Sequence, residues 1–463
     1  MGLEIDADFS QQFLLPPSLE DFVGPEHPAR FIRDFVSTLD LAALGFPVRT
    51  AAEGRPSYAP ALLLRVWLYG YLMNVRSSRR TEAFCKSDLG ALWLCGMHAP
   101  DHNSLWRFWK KSRPALRALF TELVRRSVKQ GHVGFALHAL DGTKILAASS
   151  PAAALHSKDL EKAMGRLDER IARLEKEIEG AEPQEQALAS ALGAAREKRE
   201  ELAGKHAALA QKNMDHEQPQ EPDARMMKDG ARVRWAWNAQ ALADAKSGLI
   251  VAADACASAA DFTLLAPMLE QGCANTGRPA DATVADGGYA KSEEQIGRAE
   301  QMGHNVTTPR PHKEQAPFAS ARFSYDEKTG CASCPIGQRL SSDGGHTRHR
   351  SRMKEPVRRF YCPVHQKCPR RSECCQGIGP RSLEVGMHRP AVDRARQRAA
   401  SAQGQALIAK RQGIIERVFA HIKHNCGLRR FLSRGQENIR AEWTMACLAY
   451  NLQILARKRP QAA

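Results

Sequence analysis

Three carboxylates stand where a solvated charge is not expected. Asp141 interrupts the apolar stretch "FALHALDGTKILAASS", Asp286 ends the strand-like stretch "ADATVADGGYA", and Glu416 lies in the helix-like stretch "RQGIIERVFAHIKH". Acidic residues are depleted in strands and are rarely buried unless they are paired or bind a metal. Each also has an ordinary interpretation. Asp141 and Asp286 can form turns with the glycines that follow them, and Glu416 can be an exposed helix residue.

Brought together, three carboxylates could hold two divalent cations about 4 Å apart, the arrangement that two-metal phosphoryl transfer requires. Oxygen ligands favour Mg²⁺, with Mn²⁺ as the alternative, because Mg²⁺ keeps waters and binds substrate phosphates. The order along the chain is strand-Asp, further strands, strand-Asp, a long basic segment and helix-Glu. This order indicates an RNase H-like α/β core, a mixed sheet flanked by helices, in which adjacent strands and a late helix present the carboxylates.

The segments that must position these residues differ in their patterns. Apolar residues four and three apart, from Leu160 to Ile178 and again from Leu188 to Leu209, predict two helices, with Gly180 and Pro183 as the break. The resulting hairpin could pack on itself or form a dimer contact. We predict a helical N-terminal DNA-binding domain (1–130), the first parts of the core (131–156 and 222–312), a helical hairpin insertion (157–221), a loop-like, basic, cysteine-rich insertion (313–400) and C-terminal helices that complete the core (401–463).

The charge of the chain favours a polyanionic partner. It carries 67 Lys and Arg against 51 Asp and Glu, a net charge of +16 and a pI near 9.4. The basic residues cluster between His346 and Arg371 and between Lys410 and Arg440, as phosphate contacts would require. The start, "MGLEIDADFSQQF", is acidic and has no apolar run, so we expect no signal peptide, no membrane span and a cytoplasmic, nucleoid-associated protein.

Two groups of aromatic residues leave alternatives open. Asp101, Asn103 or Ser104 could begin a basic aromatic helix that contains Trp106 and Trp109. This helix could complete a helix-turn-helix-like unit, or it could pack normally with a solvated basic face. The second group, in the motif "RVRWAWNAQ", could stack a flipped base, but core packing is the favoured interpretation of its two tryptophans.

Several blocks together resemble DDE transposases of bacterial insertion sequences, most closely the group numbered eleven eighty-two. They are "YAPALLLRVWLYGYL", "SSRRTEAF", "PDHNSLWRF", "ALDGTKILAASS", "WNAQALADAKSGLIVA", "VADGGYAKSEE" and "RQGIIERVFAHIKHNCGLRRFLSRGQENIRAEWTMACLAYNL". The resemblance covers nearly the whole chain and implies that Asp141, Asp286 and Glu416 bind two Mg²⁺ or Mn²⁺ ions. The family signature also has a Tyr and an Arg before the Glu; Arg411 can stand for the Arg, whereas Ile408 occupies the Tyr position.

The resemblance implies cleavage at the ends of the chain's own element and transfer of the freed 3′-hydroxyl into target DNA. The expected partner is double-stranded DNA, both the terminal inverted repeats and the target, bound by a homodimer or a higher oligomer. The alternatives are a catalytically silent DNA-binding protein, a metal-dependent nuclease without strand transfer, and a scaffold built on the hairpin. We expect these basic residues to contact DNA: Lys144, Arg411, Lys423, Arg429, Arg430, Arg434, Arg107, Lys110 and Lys111.

The cysteines suggest a structural metal. Six of the 12 cysteines fall between Cys331 and Cys375, and a local cluster favours metal over disulfides in a reducing compartment. Four thiolates can hold Zn²⁺ tetrahedrally. Similar transposases carry a comparable cysteine pattern, and by that resemblance the candidate zinc ligands are Cys334, Cys362, Cys368 and Cys374. Free thiols remain the alternative.

Overall fold

The computed structural model of the chain describes residues 18–47, 57–179, 186–310, 314, 316–350, 353–375 and 377–458. The sequence-based expectations about the first 13 residues and about the helix break at Gly180 and Pro183 lie outside these residues. Among the residues described, no helix is both long and apolar enough to span a membrane.

Helices form the part of the chain before the first strand, as the sequence predicts. The α-helices described there are α1 (Pro28–Ser37), α2 (Pro60–Leu72), α3 (Ser78–Ser87), α4 (Leu89–Leu94) and α5 (His102–Lys129). Helix α2 has nine of its 13 residues buried, which makes it a core helix. Asp101 begins α5, because its Oδ1 accepts hydrogen bonds from the backbone N–H groups of Asn103 and Ser104, each at 2.9 Å.

A helical hairpin interrupts the core after strand β1 (His138–Leu146). The chain forms β2 (Leu155–His156), α6 (Ser157–Glu179), α7 (Gln186–Gln211) and β3 (His216–Glu217), and the antiparallel pair β2–β3 closes its base. Ion pairs link the two helices in antiparallel order, at Glu161–His206, Asp168–Arg199 and Glu175–Arg196. The hairpin therefore packs on itself, and its use as a dimer contact stays a prediction.

The central sheet contains six strands of the described chain. After β1 come β4 (Arg225–Asp229), β5 (Arg232–Asp244), β6 (Ile250–Cys256), β7 (Thr283–Ala285) and β8 (Val306–Thr307). The order is β4-β5-β1-β7-β8, and β6 pairs with β5 outside this path, along residues Asn238 to Ala243 of β5. β1 is antiparallel to β5 and parallel to β7, so the sheet is mixed, as predicted.

Helices α8 (Leu265–Thr276) and α9 (Glu293–Gln301) follow β6 and β7 and pack against each other. Helix α8 also covers the sheet, because Gly272 lies directly against the Leu242 side chain and leaves no room for a Cβ. Leu242 pairs with Leu140, so α8 covers the face of the sheet to which Leu140 points. Asp141, the next residue, points to the other face.

The basic cysteine-rich segment is not loop-like, which corrects the sequence-based prediction. It contains strands and two helices: β9 (Ser324–Asp326), β10 (Cys331–Ser333), β11 (Ser341–Arg350), β12 (Met353–Tyr361), α10 (Arg371–Cys374), β13 (Ser382–Gly386) and α11 (Arg389–Ala400). The two-stranded sheet β9–β10 and the three-stranded sheet β11-β12-β13 enclose a small core that includes Phe323, Phe360 and Leu383. The apolar residues that form this core are few and far apart in sequence, and therefore no local pattern reveals them.

The C-terminal helices cover the second face of the sheet. Helix α12 (Ala402–Ala420) contacts β1, β5 and β7, continues into a π-helical turn (His421–Asn425), and is followed by α13 (Gln436–Ala456). Helix α13 lies between β6 on one side and α2 and α5 on the other, and 14 of its 21 residues are buried. The N-terminal helices and the sheet therefore share one hydrophobic core.

Candidate functional site

Asp141 and Asp286 lie side by side on neighbouring strands. β1 and β7 run parallel and pair Leu140 with Ala285, and an aspartate directly follows each of these partners. Since side chains alternate across a strand, both aspartates leave the sheet on the face opposite to Leu140. The structure thus brings two of the three predicted carboxylates together, although they are 145 positions apart in the sequence.

A single guanidinium joins these two carboxylates. Arg411, on α12, places Nη1 at 2.5 Å from Asp141 Oδ2 and Nη2 at 3.4 Å from Asp286 Oδ1. Burial raises the pKa of the Asp141 carboxyl, and the Arg411 charge opposes that rise. The position between the carboxylates already accepts a cationic group, and the oxygen donors are the type that Mg²⁺ and Mn²⁺ prefer. The two aspartates therefore fit a divalent cation.

Glu416 lies apart from this pair. It is exposed, and no hydrogen bond or ion pair in the described part of the chain involves its carboxylate. It follows Arg411 by five residues, and 3.6 residues make one helical turn, so the two side chains project from different sides of α12. No three His, Cys, Asp or Glu side chains among the described residues are grouped closely enough to hold a metal ion. The role of Glu416 stays a prediction.

Asp261, which the sequence analysis did not identify, lies beside the aspartate pair. Its Oδ1 accepts hydrogen bonds from Asn238 Nδ2 at 2.6 Å and Gln240 Nε2 at 3.0 Å, and Lys144 Nζ lies at 3.4 Å. It follows β6 shortly before α8, where an aspartate is easily read as an ordinary helix-start residue. The signal available in the sequence was the pair of polar residues, Asn238 and Gln240, on one face of an otherwise apolar strand.

Gly142 allows these groups to approach one another, and Gly288 lies beside two of the carboxylates. A Cβ on Gly142 would overlap the Gln240 amide nitrogen and would lie 3.0 Å from Asp261 Oδ1. A Cβ on Gly288 would lie 3.5 Å from Asp286 Oδ2 and 3.8 Å from Asp261 Oδ2. The carboxylates of Asp286 and Asp261 therefore border the same small space above residue 288.

Tyr289 is a buried residue close to the three aspartates. It is fully buried, and its hydroxyl donates a hydrogen bond to Gln240 Oε1. Burial, together with the negative charges of Asp261, Asp141 and Asp286, raises the pKa of Tyr289 well above its usual value. The hydroxyl therefore stays protonated and keeps the Gln240 amide oriented, so that the amide nitrogen donates to Asp261.

Two of the predicted DNA-contacting lysines, Lys144 and Lys423, lie close to each other, and one of them contacts Asp261. Lys144 is half-buried and is held by Asp261. Lys423, in the π-helical turn, is partly buried; burial lowers its pKa, and Asp229 opposes that shift. Lys144 also lowers the pKa of Lys423, so the two ammonium groups are close enough to repel each other. A phosphate between them would relieve that repulsion.

The basic loop after the π-helical turn is tied to the core through its backbone. Glu442 is buried and accepts hydrogen bonds from the backbone N–H groups of Leu432 and Ser433, at 3.0 to 3.1 Å. Arg76, from the N-terminal helical part, pairs with Glu442 at 3.0 Å and donates to the carbonyls of Gly427 and Arg430. The loop is therefore held on two sides by a buried ion pair.

The predicted DNA-contacting arginines of this loop differ in how much they are engaged. Arg430 donates to the carbonyls of Ala147 and Ser149 at 3.1 and 3.2 Å, so it fastens the loop to the end of β1. Arg429 is exposed and hydrogen-bonds His424, while the exposed Arg434 reaches Gln220 at 3.4 Å. Arg429 and Arg434 are thus the two whose position best suits contact with a partner.

Basic residues are also exposed on helix α5. Arg107, Lys110 and Lys111 are exposed, and Trp106 beside them is 46% exposed. Trp109, by contrast, is buried against Trp67, with 5.0 Å between the ring centroids. The surface of α5 therefore presents a basic strip with one aromatic side chain. Both a helix-turn-helix-like unit and a normally packed helix with a solvated basic face would have such a surface.

The tryptophans of β5 are core residues. Trp237 is completely buried and donates from Nε1 to Glu221 Oε1 at 2.7 Å. Trp235 is 9% exposed and makes an edge-on contact with the His216 ring, at 5.6 Å. Neither ring is free to stack on a base, so of the two interpretations of this motif the structure supports core packing.

The candidate zinc cysteines lie around the small core of the basic insertion. Cys362 is buried in that core, and Cys334 and Cys374 pack against it. Burial raises the pKa of the Cys362 thiol, and the nearby thiols of Cys368 and Cys334 add to the rise. The thiols are thus neighbours without forming a closed ligand set in the described residues. Zinc binding stays a prediction.

Two family models match the chain. The model described as "Transposase DDE domain" matches residues 333–456, which include α12 and α13. The model described as "Transposase domain (DUF772)" matches residues 17–111, the N-terminal helical part. No curated protein matches the sequence. In sequence, the two matches flank the segment that forms the central sheet with the aspartate pair, and together they indicate a DDE-type transposase of an insertion element.

Proposed function

We propose that the protein cleaves DNA at the ends of its own insertion element and joins the freed 3′-hydroxyl to target DNA, as a member of the group numbered eleven eighty-two. The observation that carries this proposal is the pair Asp141 and Asp286. The two residues lie side by side on parallel strands, and the Arg411 guanidinium bridges their carboxylates. The family matches support a DNA transposase, and the charge of +16 suits a DNA partner.

Asp141 and Asp286 would hold the two Mg²⁺ or Mn²⁺ ions, and Glu416 would join them in the complex with DNA. When bound, the ions supply charge neutralisation and activation of the attacking hydroxyl. The chain's own contribution is alignment. Lys144 and Lys423 would contact the phosphate next to the scissile bond, while Arg429 and Arg434 on the fastened loop would hold the flanking duplex.

The remaining basic residues define a second contact region. Arg107, Lys110 and Lys111 on α5 would bind the terminal inverted repeat, while residues 401–463 complete the catalytic core. A structural Zn²⁺ held by Cys334, Cys362, Cys368 and Cys374 would fix the shape of the basic insertion. Cleavage at two ends favours a homodimer or a higher oligomer on DNA, in the cytoplasm and associated with the nucleoid.

The proposal is tested with a labelled DNA fragment that carries the element's end. Wild-type protein with Mg²⁺ should cut at the end, and Asp286→Ala or EDTA should abolish cutting, a loss of several orders of magnitude. Asp281→Asn is the matched control, because this aspartate is 70% exposed and lies just before β7. Joined products with added target DNA would separate a transposase from a nuclease. If the protein binds the DNA fragment but does not cut it under any of these conditions, the proposal that it is an enzyme is wrong.

A further inference from the structure

We propose that Arg79 and Arg80 of helix α3 contact the phosphates of the same DNA duplex that Arg429 and Arg434 would hold. This inference rests on the proposed function, since it adds contacts from the N-terminal helical part to the DNA that the core would cut. Both arginines belong to the motif "SSRRTEAF", which lies outside the aspartate site.

The first observation is that the fold does not use these two side chains. Arg79 and Arg80 are exposed, and neither guanidinium makes a hydrogen bond or an ion pair within the described part of the chain. The acidic residue of α3, Glu82, is already engaged by Lys86 and by the His102 ring, each at 2.7 Å. Two uncompensated positive charges therefore face the solvent at this position.

The second observation is that the two arginines do not stabilise the helix that carries them. They lie in the first turn of α3, which contains no acidic residue, and the buried residues of this helix are Thr81 and Cys85. The start of a helix bears a partial positive charge, so basic side chains are unfavourable there. Neither helix stability nor packing accounts for the pair, whereas a polyanionic partner would compensate its charge.

The third observation is a junction that fixes the start of α3 beside the basic loop. Asn74 and Gly427 meet there with left-handed backbones, at φ of 60° and 63°, and a Cβ on Gly427 would overlap the Asn74 side chain. Arg76 donates to the carbonyls of Gly427 and Arg430 at 2.9 and 3.2 Å. The junction therefore joins the N-terminal helical part to the loop that presents the exposed Arg429.

The junction keeps the two groups of arginines close enough to share one duplex. Arg79 and Arg80 follow Arg76 by three and four residues, which is at most about 14 Å of extended chain. Arg429 directly precedes Arg430, whose carbonyl accepts the Arg76 hydrogen bond. These positions fit along less than one helical turn of DNA, which is about 34 Å. Because the junction forms without DNA, this surface is already organised for binding.

The test measures binding of the whole chain to a labelled duplex that carries the element's end, over a series of salt concentrations. The double variant Arg79→Gln/Arg80→Gln should bind about tenfold more weakly. Its slope of log affinity against log salt should fall in magnitude by about two, one for each lost phosphate contact. The matched control Arg166→Gln/Arg170→Gln removes the same charge from exposed positions on α6 and should keep the wild-type affinity and slope.

Hydroxyl-radical footprints test whether the two groups of arginines share one duplex. The double variant and Arg429→Gln should each lose protection of a few sugars on the DNA backbone. The two sets should lie within about one helical turn, or 10 base pairs, of each other. Sets that lie farther apart, or a loss in only one of the two variants, would overturn the shared duplex.

The outcomes separate this inference from the proposed function. Wild-type affinity and salt slope in the double variant, or an equal loss in the control, would overturn the role of Arg79 and Arg80. Cleavage that depends on Asp286 would then still support the proposed function. A wild-type protein that neither binds nor cuts the duplex would count against both. If melting curves show that the double variant is unfolded, the single variants replace it, and each should lower the slope by about one.

Discussion

Arg411 Nη1 lies 2.5 Å from Asp141 Oδ2, and the same guanidinium reaches Asp286 Oδ1. Arg411 comes from a helix far along the chain, and its side chain is only 12% exposed. It therefore acts as an internal counter-ion for the aspartate pair. A divalent cation at the same carboxylates has to displace it, because both cannot occupy one side of Asp141 and Asp286.

Arg411→Gln should strengthen Mn²⁺ binding to the DNA-free protein about tenfold, because the metal ion then no longer has to displace the guanidinium. An opposite charge beside a carboxylate is worth one pKa unit or more, which corresponds to a factor of about ten in affinity. The measurement is Mn²⁺ binding to the whole DNA-free chain by isothermal titration. Arg417→Gln is the matched control, since this arginine is exposed on the same helix. Unchanged or weaker Mn²⁺ binding in Arg411→Gln would show that Arg411 does not compete with the cation.

Gly142→Ala should destabilise the protein by about 1 to 3 kcal/mol, as insertion of a methyl group into packed space usually does. The new Cβ would overlap the Gln240 amide and would lie 2.8 Å from Asn238 Oδ1. Denaturant unfolding measures the loss. Gly165→Ala, on the exposed hairpin with nothing within 4 Å, is the control and should be neutral or slightly stabilising. Equal stability of Gly142→Ala and wild type would contradict this packing.

The purified protein should contain about one zinc ion per chain if the four candidate cysteines bind it. Metal analysis after dialysis would measure the content, and Cys362→Ser should reduce it strongly, because Cys362 is buried in the small core with the Cys368 and Cys334 thiols nearby. Cys273→Ser is the control, since this cysteine lies on α8, outside the basic insertion. A zinc-free wild-type protein would favour free thiols.

The protein should lose stability as the pH falls below about 6.5, the usual pKa of histidine. Burial lowers the pKa values of His138 and His304, so the folded chain keeps these rings neutral. The unfolded chain binds protons first, and stability therefore falls with pH until the lowered pKa values are passed, by at most about 1.4 kcal/mol per pH unit for each ring.

Denaturant unfolding between about pH 7.5 and pH 5.5 measures this slope. His304→Leu should flatten it, because both ring nitrogens of His304 are buried without a hydrogen-bond partner among the described residues. His98→Leu, at an exposed position, should keep the wild-type slope. The same slope in His304→Leu and wild type would mean that His304 does not resist protonation.

The sequence by itself determined most of the helices and strands outside the basic insertion. Local sequence patterns predict the hairpin helices, α2 and α5, and the strand pair β5 and β6, because these patterns depend on neighbours within a few turns. The isolated carboxylates in apolar surroundings pointed to Asp141 and Asp286, since burial of an unpaired charge is costly. Their proximity also followed from the order of strands that the resemblance implied.

Only the tertiary structure decided which groups surround the pair. The register of β1 against β7 joins residues more than a hundred positions apart, and the orientation of α12 directs Arg411 inwards and Glu416 outwards. The Asp261 carboxylate is held by hydrogen-bond donors and a lysine from two strands, β5 and β1. No local sequence pattern therefore distinguishes Asp261 from a helix-start residue. The strands of the basic insertion likewise pair across long separations. Contacts of this kind arise from packing of the whole chain, and short-range sequence patterns contain no record of them.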